Sequence, residues 1–258
     1  MRRLILVLAS IGVAVLLASG AALGITNGTA DTINRYPYVG TLVDSFDGET
    51  YPYCTGTLIS PKVLLTAAHC HPETTRYFGV TFDATYTASS TLYRGTFYDD
   101  PNGNDIAVVV FNQAIPGIES TELPNLPTEG QLNDAAKGSK FTAVGYGGQL
   151  APKEPGGPLI VYGDKRQWAV STFKSVGQTY LRLSQHNGSG GTCYGDSGGP
   201  NFLGEYPYDY DNNPATENVP IIAATTITGD NWCKSTNVTL RLDTESSRAF
   251  LDDYVTVP

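Results

Sequence analysis

The feature that most constrains the fold of this chain is a succession of short β-type segments separated by turn residues. Such spacing is typical of an antiparallel sandwich or barrel and not of βαβ units, so the sequence predicts an all-β fold. The segments are Tyr38–Val43, Thr55–Ile59, Val63–Thr66, Tyr77–Phe82, Ile106–Phe111, Phe141–Tyr146, Gln167–Phe173, Tyr180–Leu183, Ile221–Ile227 and Asn237–Leu242.

One helix is predicted, near the C-terminus. Residues 244–247 (Thr-Glu-Ser-Ser) have the composition of a helix start, and Phe250, Leu251 and Tyr254 form one apolar stripe after them. Residues 114–138 are loop-like and contain three prolines. This stretch divides the chain into two β-rich halves of similar size.

The N-terminus has the three parts of a secretory signal. Arg2 and Arg3 precede the apolar run Leu4–Ala18, and small residues follow through Gly24. A membrane anchor is the alternative, but the run is about 15 residues long and a bilayer requires about 20. We therefore expect residues 1–24 to be a cleaved signal peptide and residues 25–258 to be secreted, with no membrane contact after cleavage.

The charge of the chain excludes one class of partner. There are 16 lysines and arginines against 25 acidic residues, which gives a formal net charge of −9. Binding to a phosphate backbone requires a basic face, so we expect no nucleic-acid partner. No motif calls for a cofactor or a resident metal, and we expect a monomer.

The four cysteines allow three disulfide pairings. Cys54 and Cys70 flank one β-rich segment and Cys193 and Cys233 flank another, so the local pairing is the simplest. A zinc site on Cys70 with its neighbouring histidines, His69 and His71, competes with this pairing, but no second cluster completes a ligand set.

Three distant segments contain residues suited to nucleophilic catalysis. Ser197 lies in a glycine-rich stretch, Cys193–Pro200, and a serine hydroxyl attacks only when a base removes its proton. His69 follows the strand-like Val63–Thr66, and Asp105 stands at the start of a very apolar strand. A carboxylate in such a place needs a partner because its unpaired burial is costly.

These segments resemble the chymotrypsin-like serine proteases, the trypsin family. The matching strings are TAAHC at 66–70, NDIAVVVF at 104–111, VGYGG at 144–148 and GDSGGP at 195–200. The resemblance implies two antiparallel six-stranded β-barrels, about 25–127 and about 128–258, with the active site between them. It also implies a triad in which Ser197 is the nucleophile, His69 the general base and Asp105 the group that orients the imidazole.

The resemblance assigns further roles by position. The backbone N–H groups of Gly195 and Ser197 form an oxyanion hole, and a free amine on Ile25 pairs with the buried Asp196. Residues of the specificity pocket are Gly191, Thr192, Thr226, Thr228 and Asn237. No acid stands at the pocket base, although Asp230 is nearby, so we expect small or medium uncharged residues before the scissile bond.

The sequence therefore predicts a secreted serine endopeptidase that acts on protein or peptide substrates. A binding module that has kept the fold and lost catalysis is one alternative, although all three triad residue types are present. An esterase that uses the same acyl chemistry is the other.

Overall fold

In the computed structural model, the described part of the chain is residues 25–72, 78–150, 160–186, 189–205 and 219–258. These ranges form mainly antiparallel strands. The strands are β1 (Thr29–Ala30), β2 (Val39–Phe46), β3 (Glu49–Ser60), β4 (Val63–Thr66), β5 (Phe78–Thr81), β6 (Gly95–Asp99), β7 (Ala107–Phe111), β8 (Lys140–Gly145), β9 (Gln149–Leu150), β10 (Ile160–Val161), β11 (Gln167–Val176), β12 (Tyr180–Ser184), β13 (Pro200–Leu203), β14 (Ile222–Gly229) and β15 (Thr236–Arg241).

The first barrel contains six strands in the order β5-β2-β3-β4-β7-β6. Edge strand β5 meets the segment just before edge strand β6 at an isolated bridge, in which the backbones of Val80 and Tyr93 exchange two hydrogen bonds of 2.8 Å. Each strand turns an apolar face inward; in β4, for example, all four residues are buried. Val108 and Val109 of β7 are fully buried in the same core, which explains the very apolar composition of that strand.

The second barrel closes through its own strands. Strand β8 pairs with both β11 and β13, so the order β8-β11-β12-β15-β14-β13 returns to its start. Strand β1, from the N-terminal segment, extends the sheet at β11. The predicted all-β architecture of two antiparallel six-stranded barrels is confirmed.

The C-terminal helix is also confirmed, as α1 (Glu245–Asp252). Thr244 caps it, because the Thr244 hydroxyl accepts the N–H of Ser247 at 3.3 Å. Phe250 and Leu251 are buried in the core that both barrels share. No helix among the described residues is long and apolar enough to cross a membrane.

Both disulfides have the predicted local pairing. The Cys54–Cys70 bond joins β3 to the turn after β4, and the Cys193–Cys233 bond joins two loops of the second barrel. Cys54, Cys70 and the ring of His69 lie within 4.8 Å of one another. Because the disulfide takes up both sulfurs, the zinc site considered for Cys70 has no thiolate, and that alternative is excluded.

A buried arginine links the two barrels. Arg166, which precedes β11, is 0% exposed, and its Nε donates to Asp31 Oδ2 at 2.8 Å. Its Nη1 donates to the carbonyls of Val39 and Phe82 at 2.8 and 3.1 Å, and both carbonyls belong to the first barrel. The phenol of Tyr146 in the second barrel accepts from the same Nη1 at 3.2 Å.

We predict that Arg166→Met destabilises the protein by about 3–5 kcal/mol, because the buried carboxylate of Asp31 loses its cation. The measurement is the free energy of unfolding in urea. The control is Glu205→Gln, which removes an exposed ion pair of 3.4 Å with Lys140 and should cost less than about 1 kcal/mol. Equal unfolding midpoints for the two variants would contradict a central role for Arg166.

Candidate active site

The imidazole of His69 is held by one carboxylate. His69 lies in a 3-10 turn, Ala68–Cys70, directly after β4, and Asp105 lies just before β7, the partner strand of β4. His69 Nδ1 is 2.7 Å from Asp105 Oδ2, and the His69 backbone N–H donates to Asp105 Oδ1 at 3.0 Å. Both carboxylate oxygens thus contact the same histidine, which fixes the ring and assigns a proton to Nδ1.

The electrostatics of this pair favour an ionised acid. Burial alone would raise the pKa of Asp105, but hydrogen bonds from the His69 ring and backbone outweigh it and hold the pKa below its ordinary value. Asp105 is therefore a carboxylate at neutral pH. With Nδ1 protonated, Nε2 of His69 is left as the basic nitrogen.

Ser197 faces the same cleft from the second barrel. It lies in the turn between Cys193 and β13 and is partly exposed. The cleft has a volume of about 260 Å³. Its lining residues are His69, Thr192, Cys193, Tyr194, Ser197, Thr226, Ile227, Thr228, Gly229, Asp230, Asn231 and Cys233. The structure therefore brings His69 and Ser197 together, with Asp105 on the other side of the imidazole.

The turn before Ser197 presents backbone donors. Gly195 has φ +97°, a conformation that favours glycine, and a Cβ there would lie 3.0 Å from the Cα of Gly147. The carbonyl of Tyr194 accepts the N–H of Gly148 at 2.7 Å. Because a trans peptide directs N–H opposite to C=O, the Gly195 N–H points away from Gly148. In the described residues, neither this N–H nor that of Ser197 has a protein acceptor.

Asp196, between these two residues, is fully buried. Its carboxylate accepts the backbone N–H of Gly147 at 2.7 Å and that of Cys193 at 2.8 Å. Burial raises the pKa of Asp196 to about 7, although the two hydrogen bonds lower it in part. The two acids of the site, Asp105 and Asp196, thus have pKa values shifted in opposite directions.

Ile25 and its neighbours are docked against the second barrel. Ile25 is 0% exposed and packs with Ala143 and Ala169. Thr26 and Gly191 form an antiparallel bridge with hydrogen bonds of 2.9 and 3.0 Å.

The predicted pocket residues divide into two groups. Thr192, Thr226 and Thr228 line the cleft, whereas Gly191 and Asn237 are buried and are not among the lining residues. Asn237 donates through Nδ2 to Asn201 Oδ1 at 3.0 Å, so its amide is turned into the barrel.

Asp230 lies at the cleft but its carboxylate is engaged by its own loop. Oδ1 accepts the N–H groups of Ser235 and Thr236 at 2.8 Å, and Oδ2 accepts that of Lys234 at 3.1 Å. Burial would raise the pKa of Asp230, but these backbone hydrogen bonds outweigh it and lower the pKa. The Asp230 carboxylate therefore stabilises the loop that carries Cys233.

Two residues that support the site were not predicted. Thr55 of β3 donates its hydroxyl to the carbonyl of Gly195 at 2.9 Å, and its N–H donates to the carbonyl of Ser197 at 2.8 Å. Gly147 approaches Gly195 and Asp196 so closely that a Cβ would lie 2.5 Å from the Asp196 carboxyl carbon. The YGG string at 146–148 is a sequence signal for Gly147, whereas no motif of the sequence analysis points to Thr55.

Comparison with known proteins identifies the family. A family model described as Trypsin matches residues 25–206. The chain belongs to the trypsin family. This trypsin-family chain is 30% identical over 195 residues to the chymotrypsin of Phaedon cochleariae, over 69% of each chain. It is 26% identical over 187 residues to trypsin delta of Drosophila melanogaster, over 68% of this chain and 72% of that protein.

The fold is shared more widely than the sequence. A solved structure described as "Atomic resolution structure of HBP" matches this trypsin-family chain with a TM-score of 0.63 at 16% identity. The match covers 91% of this chain and 98% of the other, and at this identity it concerns the fold alone. Membership of the trypsin family supports a function of the serine protease type.

We predict that Asp196 makes stability fall with rising pH in a chain that retains residues before Ile25. The folded state keeps the Asp196 proton up to pH about 7, whereas the unfolded state releases it near 3.8. The free energy of unfolding should therefore fall, on the order of a few kcal/mol, between these pH values and level off above them.

The measurement is urea unfolding at several pH values, with Asp196→Asn as the comparison because an amide does not titrate. The difference between the two proteins isolates Asp196 from the other titrating groups. Parallel stability curves from pH 4 to 8 would contradict the prediction.

Proposed function

We propose that this protein is a serine endopeptidase that hydrolyses peptide bonds through an acyl-enzyme on Ser197. The observation that supports this most is the shared cleft of His69 and Ser197, with both oxygens of Asp105 engaged by His69. A nucleophile, a base and a group that orients the base are the components that acyl transfer requires.

In the proposed reaction, Nε2 of His69 takes the hydroxyl proton as Ser197 Oγ attacks the substrate carbonyl. The oxyanion that forms accepts hydrogen bonds from the N–H groups of Gly195 and Ser197. His69 then gives the proton to the departing amine, and the acyl group stays on Ser197. Water, deprotonated by His69, attacks the ester and releases the acid, which restores the hydroxyl.

Strand β14 offers an edge for the substrate backbone. Its pairing with β13 ends at Thr225 opposite Pro200, and Thr226 is still bonded to the turn at 198–199. Beyond that point, Thr228 and Gly229 pair with β15, and residues 227–229 line the cleft. An extended peptide can add to such an edge, and its side chain then enters the pocket. The threonine walls favour small or medium uncharged side chains there, and the acid among the lining residues, Asp230, is held by its own loop.

Maturation is proposed to begin with removal of residues 1–24 as a signal peptide on export, which leaves residues 25–258 as the secreted catalytic domain. A cut after Gly24 creates an amine on Ile25, and this amine is the proposed cation for Asp196. Burial of an unpaired charge costs free energy, and the Ile25 amine would remove that cost for the Asp196 carboxylate. The pair would therefore stabilise the ionised form of Asp196 and the backbone arrangement of the neighbouring Gly195. Export and activation would then be one event.

Covalent labelling tests the catalytic assignment. We expect a fluorophosphonate to label Ser197 in the wild-type protein and His69→Ala to reduce the labelling rate by several orders of magnitude, because the base is lost. His71→Ala is a matched control: His71 Nδ1 is likewise 2.7 Å from a carboxylate, that of Asp99, but His71 does not line the cleft. This variant should label normally.

The same experiment separates the alternatives. Absence of labelling in folded wild-type protein would indicate a binding module, and equal slowing in the two histidine variants would contradict the assignment of the base. An esterase would be labelled and would cleave ester substrates, but it would leave the matching amide peptides intact.

A second prediction concerns the Ile25 amine. A protein that starts at Ile25 should hydrolyse peptides, and a variant with one additional residue before Ile25 should fold but hydrolyse them at least about tenfold more slowly, because Asp196 lacks its cation. Circular dichroism verifies folding, and N-terminal sequencing of exported protein identifies the natural start. Full activity in the extended variant would overturn the proposed activation.

A further inference from the structure

Among the described residues that line the cleft, Asp230 is the one acid. It follows the last residue of β14, Gly229, whereas Thr226 of the same strand is bonded to the turn at 198–199 beside Ser197. A strand advances about 3.3 Å per residue, so Asp230 lies roughly 13 Å further along this edge than Thr226. The acid is therefore at the outer end of the cleft, and Ser197 is at the inner end.

The carboxylate of Asp230 has no cationic partner in the part of the chain that the structure describes. Its bonds of 2.8–3.1 Å come from backbone N–H groups of its own loop, which carry no net charge. Burial raises the pKa of Asp230, but these bonds outweigh it, and no lysine or arginine contributes to the lowered value. Lys174 of β11 donates instead to the hydroxyl of Thr236. The cleft thus has an ionised acid at neutral pH whose charge is available to a ligand.

Two exposed aromatic rings lie near this acid. Tyr194 lines the cleft, is 47% exposed, and its hydroxyl is 3.5 Å from the carbonyl oxygen of Asn231. Trp232, two positions after Asp230, is 50% exposed. The neighbouring disulfide joins the two segments that carry these rings. Aromatic faces attract cations, and apolar surface covers the methylene stems of lysine and arginine. The outer end of the cleft therefore offers a negative charge beside apolar surface.

A substrate on the β14 edge brings its third residue before the scissile bond to this place. The first residue before that bond has its carbonyl at Ser197 and its side chain in the pocket, so the preceding residues continue along the edge away from Ser197. Two residues of an extended chain advance about 7 Å, and their side chains point to the same side. If the first residue lies opposite Ile227, the third lies opposite Gly229, and its side chain is directed at Asp230.

We propose that Asp230 is a specificity-determining residue that binds a cationic side chain, arginine or lysine, at the third residue before the scissile bond. This rests on the proposed peptidase function and extends its substrate class to a pattern: a small or medium uncharged residue at the bond and a cation two positions earlier. The backbone bonds orient the carboxylate, and its charge attracts the substrate cation. The formal net charge of −9 favours the approach of a cationic peptide in the same direction.

Peptides that differ only at the third residue before the bond test the proposal. Arginine and citrulline are matched in size and shape, so their ratio of kcat/KM reports the charge. We expect arginine to be preferred about three- to fivefold at low salt, the range of a good ion pair at a solvent-exposed site. The ratio should fall toward one in about 0.5 M salt, because salt screens the attraction. Equal rates at low salt, or a cation preferred at the first residue instead, would overturn the proposal.

Substitutions at the outer cleft assign the preference to Asp230. Asp230→Asn removes the charge and should bring the ratio of arginine to citrulline to about one. Asp47→Asn is the matched control: Asp47 is an exposed acid in the turn between β2 and β3 and does not line the cleft, so the ratio should not change.

A second pair of variants keeps the Asp230 carboxylate and its loop bonds. Asn231 lines the cleft and is exposed. Asn231→Lys places a competing cation beside Asp230 and should abolish the preference for arginine, whereas Asn231→Asp should increase it about threefold. Circular dichroism verifies that each variant folds. A ratio unchanged from wild type in Asp230→Asn or in Asn231→Lys would overturn the role of Asp230.

Binding to Ser197→Ala separates this proposal from the proposed function. Calorimetry should give binding of the arginine peptide about three- to fivefold tighter than that of the citrulline peptide in this variant. Such selectivity together with an inert wild-type protein would refute the peptidase and retain the cation site. A wild-type protein that cleaves both peptides equally, with equal binding to Ser197→Ala, would refute the cation site and retain the peptidase.

Discussion

The arrangement of the two barrels depends on one buried guanidinium, that of Arg166. Its donor groups bind acceptors in the N-terminal segment, the first barrel and the second barrel. In the N-terminal segment, Nε donates to Asp31 and Nη2 donates to Asn34. A charge removed from water in this way is stable only while its partners are in place. The relative position of the barrels is thereby restricted, and the cleft that His69 and Ser197 share lies between elements whose separation this network fixes.

The site shows how environment divides identical side chains into different roles. Asp105 accepts hydrogen bonds from the ring and the backbone N–H of His69. These bonds outweigh the effect of its partial burial, so the pKa of Asp105 is lowered. Asp196 receives two backbone N–H groups but is wholly removed from water, and its pKa rises to about 7. Asp105 is therefore suited to remain ionised, whereas the ionisation of Asp196 depends on whether a cation lies beside it.

Sequence alone predicted the features that depend on residues close together in the chain. The strand pattern, the helix at residues 245–252, both disulfides and the family all follow from local strings, and the structure and comparisons confirm them. Strand β6 was missed because it is half exposed and begins at a glycine, and β13 because it begins at a proline.

The remaining parts of the site could not be predicted, because they depend on contacts between residues far apart in the chain. Arg166 is 135 positions from Asp31, and Thr55 is 140 from Gly195. Asn237 belongs to β15, which looks like an ordinary core strand in sequence, and its hydrogen bond to Asn201 joins residues 36 positions apart. Gly191 and Asn237, assigned to the pocket by position, are buried and are not among its lining residues.

Thr55 has a mechanical consequence. It belongs to the first barrel, yet it bonds the carbonyls of Gly195 and Ser197 in the second, and the adjacent Cys54 is covalently tied to Cys70 beside His69. The turn that carries Ser197 is thus fastened to the strand that also anchors His69. A small rotation of one barrel against the other would carry Ser197 and His69 in the same direction, so the distance between them is less sensitive to such a rotation than the distance between two residues that no shared strand connects.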